Sequence, residues 1–321
     1  MVGKHKKIIT IAFIFVVALV SFFTIKEQNL TKMETSIEGK EMTKEDYIYK
    51  DKLLSLGYTI QEVKIIENKI SSVDVKNYLL NKKYNHLFNF LNSPYFKTYN
   101  VERYENYYLL HNDYNIDQIT IDVNIGLDND FYTNVIEVTN HESITTLVNK
   151  YYKLNKDATF NDLINIEMEY SNNGIQSFRK VAYTPLVNMI ENAKNDGIIL
   201  RVLSGYRTYD RQEFLFNNSV NKNGLEHALL YSAKPGHSEH ELGLAVDFNT
   251  TDMSFENTKE YEWLKNNSYK YGFIERYKKG KENITGYGYE PWHYRYVGID
   301  AATKIFTEDI TFEEYYVKYL Q

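Results

Sequence analysis

The first pattern along the chain is a continuous apolar run. Ile8–Ile25 is broken only by Thr10, Ser21 and Thr24, and Lys4, His5, Lys6 and Lys7 precede it. About 17–25 apolar residues span a bilayer, and lysines on the amino side favour a cytoplasmic N-terminus. The pattern predicts a cytoplasmic tail over 1–7 and a transmembrane helix over 8–25, with everything after Lys26 outside the membrane. A cleaved signal peptide is the competing reading, but its apolar core is usually shorter and ends in an A-x-A-like site. Ala18-Leu19-Val20 is a poor version of that site. The expected location is therefore the cell membrane, single-pass, with the folded part extracellular (or secreted, if the segment is cleaved).

Residues 26–44 are polar and lack periodicity, so they read as a linker. Between 45 and 105, Tyr47, Leu53, Leu54, Leu56, Val63, Ile65, Ile66, Val75, Tyr78, Leu79 and Leu80 recur at loose three-to-four spacing, which predicts helices. Residues 116–139 alternate, as in Ile119-Thr120-Ile121-Asp122-Val123, and predict strand. His86, His111 and His141 are scattered without ligand spacing and read as surface or satisfied histidines. Residues 45–145 thus form an expected accessory domain, and 146–321 a second domain that carries the chemistry.

The texture changes after residue 195. Ten of the 15 glycines lie between Gly197 and Gly298, the density expected of tight loops between short strands. Just before, Thr184-Pro185 reads as a cap and first helical residue. Leu186, Met189, Ile190 and Ala193 follow on one face, and Gly197 is the stop. Ile198–Leu203 reads as a buried strand leading to the loop Ser204-Gly205-Tyr206-Arg207.

Two stretches carry candidate chemistry. From Leu242 the chain alternates strictly: Leu242, Leu244, Val246 and Phe248 point one way, Gly243, Ala245 and Asp247 the other. A face of Gly and Ala around a carboxylate leaves space against the sheet, and His240 stands just before it. His237 is taken as a rim residue, because only His240 has this spacing to Asp247. The second stretch, Tyr289–Gly298, is strand-like after Pro291 and brings His293, with Glu290 three residues before it. Two histidines and one carboxylate are a sensible ligand set for catalytic zinc, which keeps three protein ligands and leaves a fourth position to water. Glu290 suits a general base beside that water, and Arg207 suits stabilisation of an oxyanion.

Composition narrows the picture. There are no cysteines, so any metal site uses His, Asp and Glu. The net charge of -6 argues against nucleic acid as a partner. With 43% hydrophobic and 25% charged residues, the chain has the balance of a globular protein with a real core.

The motifs SGYRT from Ser204 to Thr208, SEHELGLAVD from Ser238 to Asp247, and EPWH from Glu290 to His293 resemble those of the VanY-type D-alanyl-D-alanine carboxypeptidases, in the same order. These belong to a wider zinc-peptidase group with lysostaphin-type enzymes and the hedgehog signalling domain. The similarity runs from about Leu147 to Val297. It implies that His240, Asp247 and His293 bind Zn2+, that Glu290 is the general base, and that Arg207 polarises the substrate carbonyl or its oxyanion. It also implies that Ser238 and Gln212 contact substrate. The expected fold is α+β, a small antiparallel sheet with packed helices, preceded by the mostly helical accessory region and the transmembrane helix. The expected reaction is zinc-dependent D,D-carboxypeptidase cleavage of peptidoglycan stem peptides. L,D-carboxypeptidase or endopeptidase action on the same polymer is the near alternative, and a cell-wall-binding module with a vestigial zinc site is the alternative of another class.

Overall fold

The computed structural model describes residues 44–321, with side chains from Tyr49 onward. It divides into two compact units, one ending at Lys83 and one running from Tyr84 to Gln321.

In the first unit, helices α1 (Lys44–Ser55) and α2 (Ile60–Lys69) follow the predicted three-to-four periodicity. Thr59 opens α2 with a reciprocal cap. The Glu62 N–H donates to Thr59 Oγ1 at 3.2 Å and the Thr59 N–H to Glu62 Oε2 at 2.6 Å, satisfying two otherwise orphaned helix donors.

The second unit also begins with helices, α3 (Val101–Leu110) and α4 (Ile116–Ile125). The strand expected over 116–139 is therefore corrected to a helix for its first ten residues; only β1 (Ile136–Glu137) is extended, pairing in parallel with β2 (Tyr152–Lys153). Local capping and burial explain the difference. Asn115 accepts the Gln118 N–H at 2.8 Å, and Gly126 closes the helix in the left-handed conformation. Between them Ile119, Thr120, Ile121, Asp122 and Val123 are all buried, so this helix has polar positions without an exposed face and its period cannot be read from polarity.

The antiparallel pair β3 (Leu163–Ile166) and β4 (Gln176–Arg179) leads directly into α5 (Lys180–Asn195). This helix starts before the expected Thr184-Pro185 boundary and carries Pro185 inside it, because β4 hands the chain over at Arg179. Its buried face is Ala182, Leu186, Met189, Ile190 and Ala193. The strand expected over 198–203 is shorter and later, β5 (Val202–Ser204): Ile198 and Leu200 are buried, but Ile199 between them is exposed.

Helices α6 (Tyr209–Asn223) and α7 (Leu225–Tyr231) follow. Then come β6 (Ala245–Phe248), α8 (Lys259–Asn267), β7 (Phe273–Glu275), β8 (His293–Tyr296), α9 (Ile299–Glu308) and α10 (Phe312–Tyr319). Strands β5, β6, β8 and β7 form, in that order, a four-stranded sheet with every neighbour antiparallel. Leu242, Leu244, Val246, Phe248 and Tyr294 pack with the apolar face of α5 in the main core. A second cluster of Leu147, Ile274, Val297, Ala302, Ile305 and Phe312 seats α9 and α10. The α+β reading of small antiparallel sheets with packed helices agrees with this arrangement.

The described residues do not supply the transmembrane part of the expected fold class. Among the described residues no helix is long and apolar enough to cross a membrane, and residues 8–25 lie outside the described residues. The longest described helix, α5, has 16 residues, and at 1.5 Å per residue it reaches about 24 Å against roughly 30 Å of hydrocarbon. Its Lys180, Asn188, Glu191, Asn192 and Lys194 would also be left in lipid. The membrane as a partner and the single-pass location rested on that helix, and no described helix supplies it.

Candidate metal centre and cleft

Three elements converge on one point. His240 sits in a 3-10 turn, Glu239–Leu242, immediately before β6. Asp247 lies on β6, and His293, the first residue of β8, is its direct cross-strand partner. One ligand atom from each of the three lies within 4.8 Å of the others, and all three residues are buried. His240 Nε2 is 3.2 Å from Asp247 Oδ2, and His293 Nδ1 is 3.2 Å from Asp247 Oδ1. Donors held about 2.0–2.2 Å from one tetrahedral zinc ion stand roughly 3.4 Å apart, so these spacings suit it.

The hydrogen bonds around the histidines leave the facing nitrogens free. His240 Nδ1 is 2.8 Å from the Gly205 carbonyl oxygen, so the N–H belongs on Nδ1 and the lone pair on Nε2. His293 is arranged in the opposite sense: Nε2 faces Glu239 Oε2 at 3.4 Å, and Nδ1 faces Asp247. Asp247 Oδ1 is buried and has no hydrogen-bond partner, because His293 Nδ1 approaches it outside hydrogen-bonding geometry. A buried carboxylate oxygen without a donor is costly, and a cation between these three side chains would satisfy it.

Electrostatics point the same way. Burial and the nearby Arg207 push His240 down to about 4, keeping it a neutral donor. Burial opposes the charged form of His293 too, yet Asp247 and Glu239 outweigh it and raise the ring to about 9. Asp247 and Glu239 together thus favour a positive charge at this ring. Burial raises Glu290 to about 7, an effect that His293 opposes. Its Oε2 is 3.7 Å from His293 Nδ1.

These residues line a cleft of about 700 Å3 shared by Arg207, Gln212, Ser238, Tyr277, Glu290 and Trp292. Gly205 lets the Ser204–Arg207 loop come close: a Cβ there would sit 2.5 Å from the Ser177 carbonyl oxygen. Arg207 Nη2 donates to Asp247 Oδ2 and to Ser204 Oγ, both at 2.9 Å, while Nη1 has only a long 3.5 Å contact with Gln212. Gln212 is a buried residue that donates to the Ala233 carbonyl at 2.8 Å, not a solvated helix position. The Ser238 N–H donates to Glu241 Oε2 at 3.3 Å in the turn that delivers His240.

Two sequence readings change here. The glycine of the Gly243-Ala245-Asp247 face does not clear space for a ligand. Its φ is +65°, and a Cβ would lie 2.9 Å from Arg179 Cγ and 3.1 Å from a Leu163 methyl. Ala245 stands opposite Arg295 across the β6–β8 ladder. His237 is buried with Nδ1 2.7 Å from the Asn149 carbonyl oxygen; it belongs to the scaffold and not to a rim. Sequence reasoning also missed Glu239. Its partners Arg276 and Arg295 lie 37 and 56 residues away in the chain, so no local pattern points to it.

Residues 175–299 match the family VanY, described as D-alanyl-D-alanine carboxypeptidase. The chain is 44% identical over 190 residues to the putative carboxypeptidase YodJ of Bacillus subtilis, a match covering 56% of this chain and 70% of that relative. It is 40% identical over 159 residues to a D-alanyl-D-alanine carboxypeptidase of Enterococcus faecalis, covering 47% of this chain and 59% of the relative. Among solved structures, the LdcB LD-carboxypeptidase, described for its peptidoglycan recognition, has 42% sequence identity and a TM-score of 0.54, covering 59% of this chain and 93% of its own. With a buried His-Asp-His cluster in the matched region and identity of this depth across more than two thirds of a relative, the chain belongs to the VanY-type D-alanyl-D-alanine carboxypeptidase family of zinc peptidases.

Proposed function

We propose that the protein is a zinc-dependent D-alanyl-D-alanine carboxypeptidase that hydrolyses the terminal peptide bond of peptidoglycan stem peptides. The observation that carries this is the buried cluster of His240, Asp247 and His293 with Glu290 beside it in one cleft. His240 Nε2, Asp247 Oδ1 and His293 Nδ1 would hold the ion. Bound zinc lowers the pKa of a coordinated water towards 7 and polarises a carbonyl.

The chain's own groups do the rest. Glu290, raised to about 7 by burial, takes a proton from the attacking water and returns it to the amine of the departing D-alanine. The water oxygen becomes bonded to the acyl carbon and the C–N bond breaks. Arg207 directs the weakly engaged Nη1 at the oxyanion that develops on the carbonyl. Asp247 and Ser204 fix the guanidinium through its other nitrogens. Ser238 and Gln212 line the cleft as substrate contacts. The catalytic domain in this reading spans 146–321, and the glutamate beside the metal cluster favours an enzyme over a binding module.

Digestion of defined muropeptides, followed by mass spectrometry, tests the substrate. D-Alanine released from pentapeptide stems is expected. Release from tetrapeptide stems alone would assign L,D-cleavage, and cleavage inside the stem or cross-link would assign an endopeptidase.

A further inference from the structure

Behind His293 lies a second cluster that the reaction does not use directly. Glu239 is completely buried, and its Oε1 accepts from Arg276 Nε at 2.7 Å and from Arg295 Nη1 at 3.0 Å. Its other oxygen faces His293 Nε2 at 3.4 Å. Arg276 in turn forks onto Glu313 of α10, with Nη1 to Oε2 at 2.9 Å and Nη2 to Oε1 at 2.6 Å. Asn149 Nδ2 also donates to Glu313 Oε1, at 3.0 Å. Arg295 spends Nη2 on the carbonyls of Ile144 and Thr146, both at 2.9 Å. The side chains of Arg276, Arg295, Glu239 and Glu313 have no exposed surface.

Two carboxylates and two guanidiniums balance in charge. Such a buried cluster is rarely the cheapest way to fill a core, since apolar residues of similar volume serve as well or better. Its worth lies in what it holds in place. Here it holds a carboxylate against the ring nitrogen of His293 that points away from Asp247. It also joins that carboxylate to α10, 37 residues beyond Arg276. The strand period helps: His293 and Arg295 lie two apart on one face of β8, with Ala245 opposite Arg295.

We infer that Glu239 is the positioning residue for His293, holding its N–H on Nε2 so that Nδ1 presents a lone pair to the cation, and that the Arg276–Glu313 fork locks this arrangement to the C-terminal helix. The inference rests on the zinc site proposed above. An outer carboxylate on a ligating histidine fixes tautomer and ring orientation, and losing it typically weakens metal binding about 10–100-fold.

The test uses the full chain and two probes, zinc and cobalt(II). Zinc affinity is measured by competition with a chromophoric chelator, and the visible spectrum of the cobalt form is recorded at saturation. Glu239→Gln should bind zinc roughly 10–100-fold more weakly and should shift the cobalt bands. Glu313→Gln, which leaves Glu239 in contact with the ring, should weaken binding by a smaller factor. If Glu239→Gln does not fold, the charge-balanced pair Glu239→Gln with Arg295→Gln takes its place. Unchanged affinity and unchanged cobalt bands in the folded variant would overturn the inference. So would weaker binding with unchanged bands at saturation, since that describes general loosening and not a reoriented ligand. Failure of the wild-type chain to bind zinc would instead overturn the zinc site itself.

Discussion

The two faces of the β6–β8 ladder are both buried and chemically opposite. On one side Val246, Phe248 and Tyr294 are inaccessible and lie in an apolar core. On the other, Asp247, His293 and Arg295 are buried as well, yet nearly every polar atom has a charged or hydrogen-bonding neighbour. The apolar face acts through area removed from water, so each residue contributes nearly independently. The polar face acts through pairing, so removing one member strands another. Burial alone therefore says little about what a substitution does. The partner list decides it.

The largest effects should come from the site that the polar face helps to build and fall on chemistry. His240→Ala is expected to lose zinc and activity together. Glu290→Ala should keep zinc and lose about 10²–10⁴ in kcat, the range of a general acid–base contribution. Metal analysis beside turnover of a D-Ala-D-Ala stem distinguishes the two, and full turnover by the Glu290 variant would remove it from the mechanism. Val246→Ala, one residue from Asp247 but facing the other way, should cost about 2 kcal/mol of stability by thermal or denaturant unfolding. The zinc affinity of the folded protein should not change. A shift in affinity would mean the two faces are coupled.

A buried carboxylate without an arginine sharpens the contrast. Glu239 is pushed up by burial, but Arg276 and Arg295 reverse this and hold it far below the usual range. Asp122 on α4 is buried as well, with only Gln118 Nε2 at 2.6 Å and Tyr107 Oη at 3.4 Å as side-chain donors. Burial, aided by Glu314 and opposed by those donors and His111, raises it from 3.8 to about 6. The folded chain then holds that proton more tightly than the unfolded chain. The stability this contributes is complete below about pH 3.8 and is lost as pH rises through about 6. Asp122→Asn should therefore raise stability by roughly 1–3 kcal/mol at pH 7.5 and by much less at pH 4. Equal gains at both would exclude ionisation as the cause. The smallest effect belongs to Tyr294, whose hydroxyl is buried without a partner. Tyr294→Phe should be neutral or stabilising by up to about 1 kcal/mol, with turnover unchanged; a lower melting temperature would reveal a partner for the hydroxyl.

Much of the site was legible because its signals are local. His240, Asp247, Glu290 and His293 stand in two short stretches, and the alternation from Leu242 to Phe248 correctly marked the core side. The same rule erred where burial is not one-sided: α4 is covered along most of its length, and its mixed pattern imitates a strand. Gly243 was misread because smallness has two uses, and here it serves a left-handed turn against Arg179.

The sequence by itself determined the donor types, their order, the absence of thiolate ligands and the apolar face of α5, because each follows from residue identity and short-range period. Only the tertiary structure decided which nitrogen of each histidine faces the cluster. That choice is made by the Gly205 carbonyl for one ring and by Glu239 for the other. Glu239 is in turn fixed by Arg276 and Arg295, 37 and 56 positions away, and Arg276 by Glu313, a further 37 on; these charges are tolerable in the core only when brought together. Sequence pattern reports what a residue prefers as its surroundings; which distant charge meets it there is settled by the fold.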